Sequence, residues 1–192
     1  QLLQSMTSED QRGAEIAGQR IDLITSELQE AIMLTRMQSI GNVFNKFPRV
    51  VRDLSRSLGK KVELNLEGKD VELDKTIIEA IGDPLTHLVR NAVDHGIELA
   101  QERERVGKPR TGKILLSASQ EGDHILLTIE DDGRGMDADI LRSNAVERGL
   151  IDQEAADRLN DNDAFQLIFM AGFTTKAEIS DISGRGVGMD VV

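Results

Sequence analysis

The stretch that decides the fold is His87-Leu88-Val89-Arg90-Asn91-Ala92-Val93-Asp94-His95-Gly96. It predicts a helix on which His87, Asn91 and His95 recur every four residues and share a face, with Asp94 on the neighbouring edge. The side-chain oxygen of Asn91 suits Mg²⁺, which combines few protein oxygens with water and phosphate oxygens. His87 could orient or deprotonate an attacking group, and His95 could contact phosphate. The alternative is an ordinary solvated face that ends with the helix at Gly96.

A second stretch, Asp131-Asp132-Gly133-Arg134-Gly135-Met136, directly follows a predicted strand. Asp131 would project from the end of that strand as an acceptor for an exocyclic amine. Gly133 and Gly135 would let the backbone approach a flat ring without a clash from a Cβ atom. The alternative is a glycine-rich turn that leads into a helix at Asp137.

The third stretch, Ser183-Gly184-Arg185-Gly186-Val187-Gly188, has three glycines two residues apart before a predicted helix start. Backbone N–H groups at such a start form an anion cradle, to which Arg185 adds a cation. The spacing fits neither the dinucleotide fingerprint nor the Walker A loop. Residues 172–175 (Gly-Phe-Thr-Thr), which precede it, form a candidate lid. The alternative for the glycine segment is a flexible loop.

Apolar residues at helical spacing predict a long amphipathic helix over residues 16–47. Its apolar stripe must pack on the same chain or on another copy. Pro48 interrupts the pattern, which fits either a kink or the first turn of a second helix, and Gly59 is a plausible end of the amphipathic segment that follows. We therefore expect a helical domain over residues 1–47 and a globular domain over residues 48–192.

The globular part is expected to be of the α+β class, a two-layer α/β sandwich with a mixed sheet and helices on one face. The pattern predicts strands over residues 62–66, 113–119 and 124–130. Asp74 would cap a helix that runs to a joint at Gly82-Asp83-Pro84. Two more helices are expected over residues 137–148 and 163–169.

Composition excludes several classes of protein. The chain of 192 residues contains no cysteine, which excludes disulfides and thiolate metal sites. Its net charge of −11 argues against general nucleic-acid binding, which depends on lysine and arginine. No apolar run approaches the ~20 residues of a membrane helix, and no signal peptide is evident, so we expect a cytoplasmic protein without direct membrane insertion.

In order and spacing, these motifs resemble those of the chemotaxis histidine kinases of the CheA type, within the GHKL superfamily of ATPases and kinases. Residues 87–96 are similar to the N box, 131–137 to the G1 box, 167–175 to the F box and 183–192 to the G2 box. Residues 32–37 and 47–49 resemble the end of the family's dimerisation hairpin. The resemblance covers about residues 20–192.

The resemblance implies the GHKL (Bergerat) ATP-binding fold, with ATP and Mg²⁺ as cofactors. Asn91 would hold Mg²⁺, Asp131 would accept from the adenine amino group, and His87 would occupy the position of a general base. The rest of the implied nucleotide site comprises Asp94, His95, Gly133, Gly135, Thr174, Thr175, Ser183, Gly184, Arg185, Gly186, Val187 and Gly188. Ile140 stands where many family members carry lysine or arginine, although Arg142 is near.

The implied reaction is transfer of the γ-phosphoryl group of ATP to a histidine on a separate phosphoacceptor domain, for relay to response regulators. Neither His87 nor His95 would be the phosphorylated histidine, and His124 is expected at the surface. Chemoreceptors and a coupling protein would bind through domains that are not in this chain. A homodimer is implied, with a partial hairpin and a C-terminally incomplete kinase domain. The alternatives are an ATPase that uses ATP for conformational change, or a non-catalytic dimeric signalling scaffold.

Overall fold

Eight α-helices and five strands make up the part of the chain that the structure, a computed structural model, describes: residues 2–171 and 173, with side chains from residue 17 onward. The helices are α1 (Leu2–Arg36), α2 (Gly41–Phe44), α3 (Phe47–Ser57), α4 (Lys75–Asn91), α5 (Ala100–Arg105), α6 (Ala138–Glu147), α7 (Gln153–Arg158) and α8 (Asp161–Gln166). The strands are β1 (Met37–Ser39), β2 (Val62–Glu67), β3 (Glu72–Asp74), β4 (Gly112–Glu121) and β5 (His124–Asp131). A π turn, Ala92–Gly96, follows α4, and a 3-10 turn, Leu167–Phe169, follows α8.

The long N-terminal helix ends at Arg36, so the prediction of a helix over residues 16–47 is wrong in its last third. Ile40, Phe44 and Phe47 are completely buried in the core of the globular part. These residues continue the helical spacing in the sequence, but they do not belong to the apolar stripe of α1. The apolar residues of that stripe, such as Ile24 and Leu28, are mostly exposed.

A short two-stranded sheet joins α1 to the start of α4. Strand β1 pairs antiparallel with β3, with Met37 opposite Asp74. The Arg36 guanidinium donates to the Thr76 hydroxyl at 2.6 Å, and it lies 3.4 Å from a carboxylate oxygen of Asp74. The same carboxylate accepts from the Thr76 N–H at 2.7 Å, which confirms Asp74 as the cap of α4. The sequence pattern did not predict either strand of this pair.

The main sheet has the strand order β2-β4-β5 and is mixed, as expected. Strand β2 is parallel to β4, and β4 is antiparallel to β5. The two antiparallel strands meet in a tight turn at Gly122, whose φ of 66° lies in the left-handed region that glycine tolerates. Ile114 and Leu116 of β4 are completely buried on the face that packs with residues of α3 and α4. The predicted α+β sandwich with helices on one face is confirmed.

Helix α4 runs unbroken through Pro84, so the predicted joint at Gly82-Asp83-Pro84 is wrong. The carbonyl of Gly82, beside the proline, accepts from the Lys46 ammonium at 3.1 Å and from the Thr86 hydroxyl at 2.7 Å. Burial of one face of α4 outweighs the unfavourable helical preference of proline. Residues 87–91 of the first motif therefore form the end of one 17-residue helix, and its residues 92–96 form the π turn that follows.

A second, smaller apolar cluster holds α6 and α8 together. It contains Leu141, Ala145, Ala164, Leu167 and Phe173. The helix predicted over residues 163–169 begins earlier, because the Asn160 side chain caps α8, and it ends in the 3-10 turn. None of the helices in the described part of the chain combines the length and apolar character that crossing a membrane requires.

Candidate functional site

The first wall of the candidate site is the junction between α4 and the π turn. His87 and Asn91 lie one turn apart in α4 and are half-buried. The helix predicted to continue to Gly96 widens after Asn91, and the Ile97 N–H donates to the Ala92 carbonyl five residues earlier. Such π turns are rare and often lie at functional sites. The widened turn carries Asp94 and His95, with His95 Nε2 3.4 Å from Asp94 Oδ2.

Lys60, which the sequence pattern did not indicate as functional, contacts the backbone of this π turn. Its ammonium group donates to the carbonyls of Val93 at 2.9 Å and Asp94 at 2.6 Å. Partial burial lowers the pKa of Lys60, and the Asp94 carboxylate acts in the opposite direction. The residue lies just after the turn that ends α3, and no sequence pattern relates it to residues 87–96.

The second wall is the loop after β5. The exposed carboxylate of Asp131 accepts from the Gly133 N–H at 2.9 Å, which fixes its orientation. A Cβ on Gly96 would lie 2.7 Å from Asp131 Oδ1, so the carboxylate stands where only glycine leaves room. The Arg134 N–H donates to the Gly96 carbonyl at 3.0 Å. The structure thus brings together the first two predicted motifs.

The two glycines of this loop have different functions. Gly133 packs against the backbone of Gly96, not against an open space. Gly135 has a φ of 70°, and a Cβ there would meet nothing within 4 Å among the described residues. The contact between the two walls therefore requires glycine at position 133, and the expectation that Gly133 and Gly135 also admit a flat ring stays a prediction.

The adjacent acids Asp131 and Asp132 are equivalent in the sequence but not in the fold. Asp132 Oδ1 accepts from the Lys113 N–H at 2.8 Å, and Asp132 Oδ2 accepts from Arg103 at 2.8 Å. Both oxygens of Asp132 are therefore used within the protein. Asp131 has one described hydrogen bond and is open to solvent, which makes it the acid that can bind a ligand.

A buried ionic cluster supports the loop from below. Arg103 is completely buried and donates to the carbonyls of Pro109 and Asp132 and to the carboxylates of Glu98 and Asp132. Lys108 donates to Glu98 and to the loop carbonyls. Burial acts to raise the pKa of Glu98, but hydrogen bonds from Lys108 and Arg103 outweigh it and hold the pKa below its usual value. The charged run around Arg103 is typical of a solvent-exposed helix, so the sequence carried no signal of its burial.

Arg142 is occupied by contacts within the α6–α8 cluster. Its guanidinium lies 2.5 Å from Asp139 Oδ1 and 2.6 Å from Asp161 Oδ1, and it donates to the Leu159 carbonyl at 3.0 Å. The hydrogen bond to Asp161 raises its pKa. Ile140 is exposed. His124 is also exposed, as predicted, beside Asp123.

The remaining predicted site residues lie outside the described residues. They are Thr174, Thr175, Ser183, Gly184, Arg185, Gly186, Val187 and Gly188.

Among residues 2–171 and 173, no three His, Cys, Asp or Glu side chains cluster closely enough to hold a metal ion by themselves. The chemistry of the site nevertheless fits Mg²⁺, because Asn91 offers an uncharged side-chain oxygen and this ion accepts water and phosphate oxygens as its other ligands. A protein site for it therefore needs few side chains.

Comparisons with known proteins identify relatives of this chain. The family model described as "Histidine kinase-, DNA gyrase B-, and HSP90-like ATPase" matches residues 80–192. The sensor histidine kinase CheAY of Helicobacter pylori is 56% identical over 172 residues, which are 90% of this chain and 21% of that protein. The chemotaxis protein CheA of Bacillus subtilis is 48% identical over 174 residues, 91% of this chain and 26% of that protein. CheA of Treponema pallidum is 49% identical over 176 residues, which are 92% of this chain and 21% of that protein.

The similarity to chemotaxis histidine kinases expected from the motifs is confirmed. The chain spans about a fifth to a quarter of the length of these curated relatives. The matched family model covers more than half of the chain, including both walls of the candidate site. The chain belongs to the histidine kinase-, DNA gyrase B- and HSP90-like ATPase family.

Proposed function

We propose that this chain is the ATP-binding part of a chemotaxis histidine kinase, which transfers the γ-phosphoryl group of ATP to a histidine on a separate phosphoacceptor domain. One structural observation carries the proposal. The exposed carboxylate of Asp131 is fixed beside Gly96, at the end of the turn that follows Asn91. A fixed acceptor beside a polar helix end suits a nucleotide whose base and phosphates must be held apart. The similarity to a sensor histidine kinase CheAY and to chemotaxis proteins CheA supports this type of kinase.

Asp131 is proposed to accept a hydrogen bond from the adenine amino group. The carboxylate is an acceptor only, so it favours adenine over guanine, which presents a carbonyl at the corresponding position. Gly135 leaves open space in which a ring can approach the backbone.

Asn91 is proposed to hold Mg²⁺, with His87 as the general base of the transfer. When bound, Mg²⁺ neutralises charge on the phosphate oxygens. His95 and Asp94 would complete the polar wall. Thr174, Thr175 and the segment Ser183-Gly184-Arg185-Gly186-Val187-Gly188 are proposed to enclose the triphosphate, because backbone N–H groups and a cation bind anions.

A direct assay of phosphoryl transfer tests the proposal. The full chain is incubated with Mg²⁺, γ-labelled ATP and an added phosphoacceptor histidine domain, and labelled phosphohistidine is measured. We expect transfer that is lost without Mg²⁺ and reduced in Asn91→Ala. ATP hydrolysis without transfer would instead favour an ATPase that drives conformational change. Undetectable Mg-ATP binding by calorimetry at high ligand concentration would favour a non-catalytic scaffold.

The domain organisation and partners form a further part of the proposal. We propose that α1 belongs to a helical dimerisation domain and that the chain acts as a homodimer. The expected boundary at residues 47–48 is better placed at the end of α1, since residues 40–47 contribute to the globular core. Response regulators would receive the phosphoryl group. Chemoreceptors and a coupling protein would bind other domains of the whole protein, which would place it at receptor complexes in the cytoplasm.

A further inference from the structure

Lys108 lies directly below the loop that carries the proposed adenine acceptor. Its ammonium group is 2.7 Å from the Gly133 carbonyl and 3.1 Å from the Asp132 carbonyl. The third contact is with Glu98 Oε1 at 3.0 Å. These three acceptors match the three donor hydrogens of an ammonium group.

The loop is held from two sides at the same residues. The N–H of Gly133 donates to Asp131 Oδ1, while the carbonyl of Gly133 accepts from Lys108. Movement of the Gly133 backbone would therefore change the orientation of the Asp131 carboxylate. Lys108 and Asp131 are therefore linked through the backbone of one residue, Gly133.

The backbone of Lys108 is itself held in place. Gly107, with a φ of 78°, makes the turn that follows α5, and the Lys108 N–H donates to the Arg103 carbonyl at 2.9 Å. The flexible side chain thus starts from a fixed position, which lowers the entropy lost when its ammonium group binds the loop.

Lys108 differs from Arg103 in what its removal would leave behind. Arg103 is completely buried, so its loss would remove one buried hydrogen bond from Glu98 and one from Asp132 at a place that water does not reach, although Lys108 and the Lys113 N–H would remain as partners. Lys108 is 34% exposed, and without it Glu98 keeps its hydrogen bond to Arg103. Water can reach the freed loop carbonyls, so the loss should act on the position of the loop more than on the fold.

We propose that Lys108 is a positioning residue for nucleotide recognition, holding the loop so that the Asp131 carboxylate meets the adenine amino group. This inference rests on the proposed function and adds to it a residue that sets affinity and base selectivity. It acts through Asp131 and is not itself placed against the reacting phosphate.

The test compares Lys108→Met with Lys113→Met in the full chain. Lys113 is exposed on the neighbouring strand and its described contacts with the loop are made by its backbone, since its N–H donates to Asp132 Oδ1 and its carbonyl accepts from the Asp132 N–H. Its substitution therefore controls for loss of a nearby charge. Calorimetry measures the affinity of each variant for Mg-ATP and Mg-GTP, and the transfer assay measures KM and kcat. We expect Lys108→Met to weaken ATP binding about tenfold, to reduce the preference for ATP over GTP, and to raise KM with kcat little changed.

The outcomes separate this inference from the proposed function. If the unmodified chain binds no nucleotide, the proposed function fails and the inference fails with it. If the unmodified chain binds ATP and Lys108→Met binds ATP and GTP just as well, only the inference is overturned. A lower Tm with an unchanged ATP to GTP ratio would also overturn it, because it would indicate a merely structural residue. Should Lys108→Met fail to fold, Lys108→Arg provides the same readouts and should retain most of the selectivity.

Discussion

A Cβ atom on Gly133 would lie 2.2 Å from the carbonyl oxygen of Gly96, so the two walls of the candidate site meet backbone against backbone. The contact joins the turn that follows α4 to the loop that follows β5. Hydrogen bonds restrict the movement of both backbones, because the Gly96 carbonyl accepts from the Arg134 N–H and the Gly133 N–H donates to the Asp131 carboxylate. Two motifs that are far apart in the sequence are therefore in direct contact through two glycines.

Gly133→Ala should damage both stability and nucleotide binding. The added methyl group meets backbone atoms, which cannot rotate away, and overpacking of this kind costs about 1–3 kcal/mol. Urea unfolding measures the first effect and calorimetry with Mg-ATP the second. Gly122→Ala is the control, since it strains a remote hairpin turn with a φ of 66° and should leave nucleotide affinity unchanged. Equal ATP affinity in Gly133→Ala and the unmodified chain would show that the contact does not position the site.

Asp131→Ala and Asp132→Ala should separate ligand binding from stability. Asp131 is exposed with one described hydrogen bond, so its loss should cost about 1 kcal/mol of stability or less. The same change should weaken ATP binding and abolish the preference for ATP over GTP. Asp132→Ala should lower the Tm more, because it removes one of the two carboxylate partners of the buried Arg103. A preference for ATP that survives Asp131→Ala would contradict the adenine assignment.

Asn91→Ala should weaken nucleotide binding in a manner that depends on Mg²⁺. Because Asn91 lies half-buried on a polar face at the end of α4, we expect a smaller effect on stability than on binding. Calorimetry with ATP in the presence of Mg²⁺ and of a chelator gives the two affinities to compare. The variant should lose most of the difference between them. If it unfolds but still shows normal Mg²⁺ dependence when folded, the metal role is wrong.

Glu98→Gln should remove an acid-sensitive part of the stability. The folded state holds the pKa of Glu98 below its usual value of 4.5, so the charged form stabilises the fold above that pH. This contribution is lost as the pH falls through the lower, folded-state pKa. Urea unfolding from pH 7 to pH 3 should show Glu98→Gln less stable at neutral pH, with the difference narrowing below pH 4.5. Glu121→Gln, whose carboxylate takes no part in this cluster, is the control, and a difference that does not depend on pH would contradict the prediction.

Ile24→Glu combined with Leu28→Glu should weaken self-association of the chain. These side chains are 61% and 59% exposed on α1, and an apolar stripe of this kind gains free energy when a second copy covers it. Analytical ultracentrifugation over a range of concentrations should show a dimer for the unmodified chain and a shift towards monomer for the double variant. Glu27→Lys with Glu30→Lys changes charge beside the stripe without removing apolar surface and serves as the control. A monomeric unmodified chain would rule out the proposed homodimer through α1.

The sequence was sufficient to predict that residues 87–96 and 131–135 meet in one place, but not how they are held together. Glycines and acids at strand and helix ends have strong local preferences, so residues 87–96 and 131–135 could be interpreted before the fold was known. Arg103 and Lys108 could not, because a charged residue in an alternating run is ordinarily solvated. The burial of Arg103 and the contacts of Lys108 depend on a loop that is distant in the sequence.

The apolar periodicity of residues 16–47 gave a wrong boundary for a related reason. Spacing indicates which residues share a helical face but not which core will receive them. Ile40 and Phe44 are drawn into the globular core, and the short pairing of β1 with β3 ends the long helix at Arg36. Likewise, Pro84 predicted a break in the helix, but α4 continues through it because one face of the helix is packed against the core.

The attachment of α1 has a mechanical consequence. A helix of 35 residues is about 50 Å long at 1.5 Å per residue, which makes it a lever whose far end sweeps a much larger arc than its base. No linker separates the helix from the globular part, because β1 begins at the residue after Arg36. The Arg36 guanidinium also contacts Asp74, which caps α4, and the Thr76 hydroxyl in its first turn. Torque applied along the lever would therefore arrive at the first turn of α4, whose last turn bears Asn91.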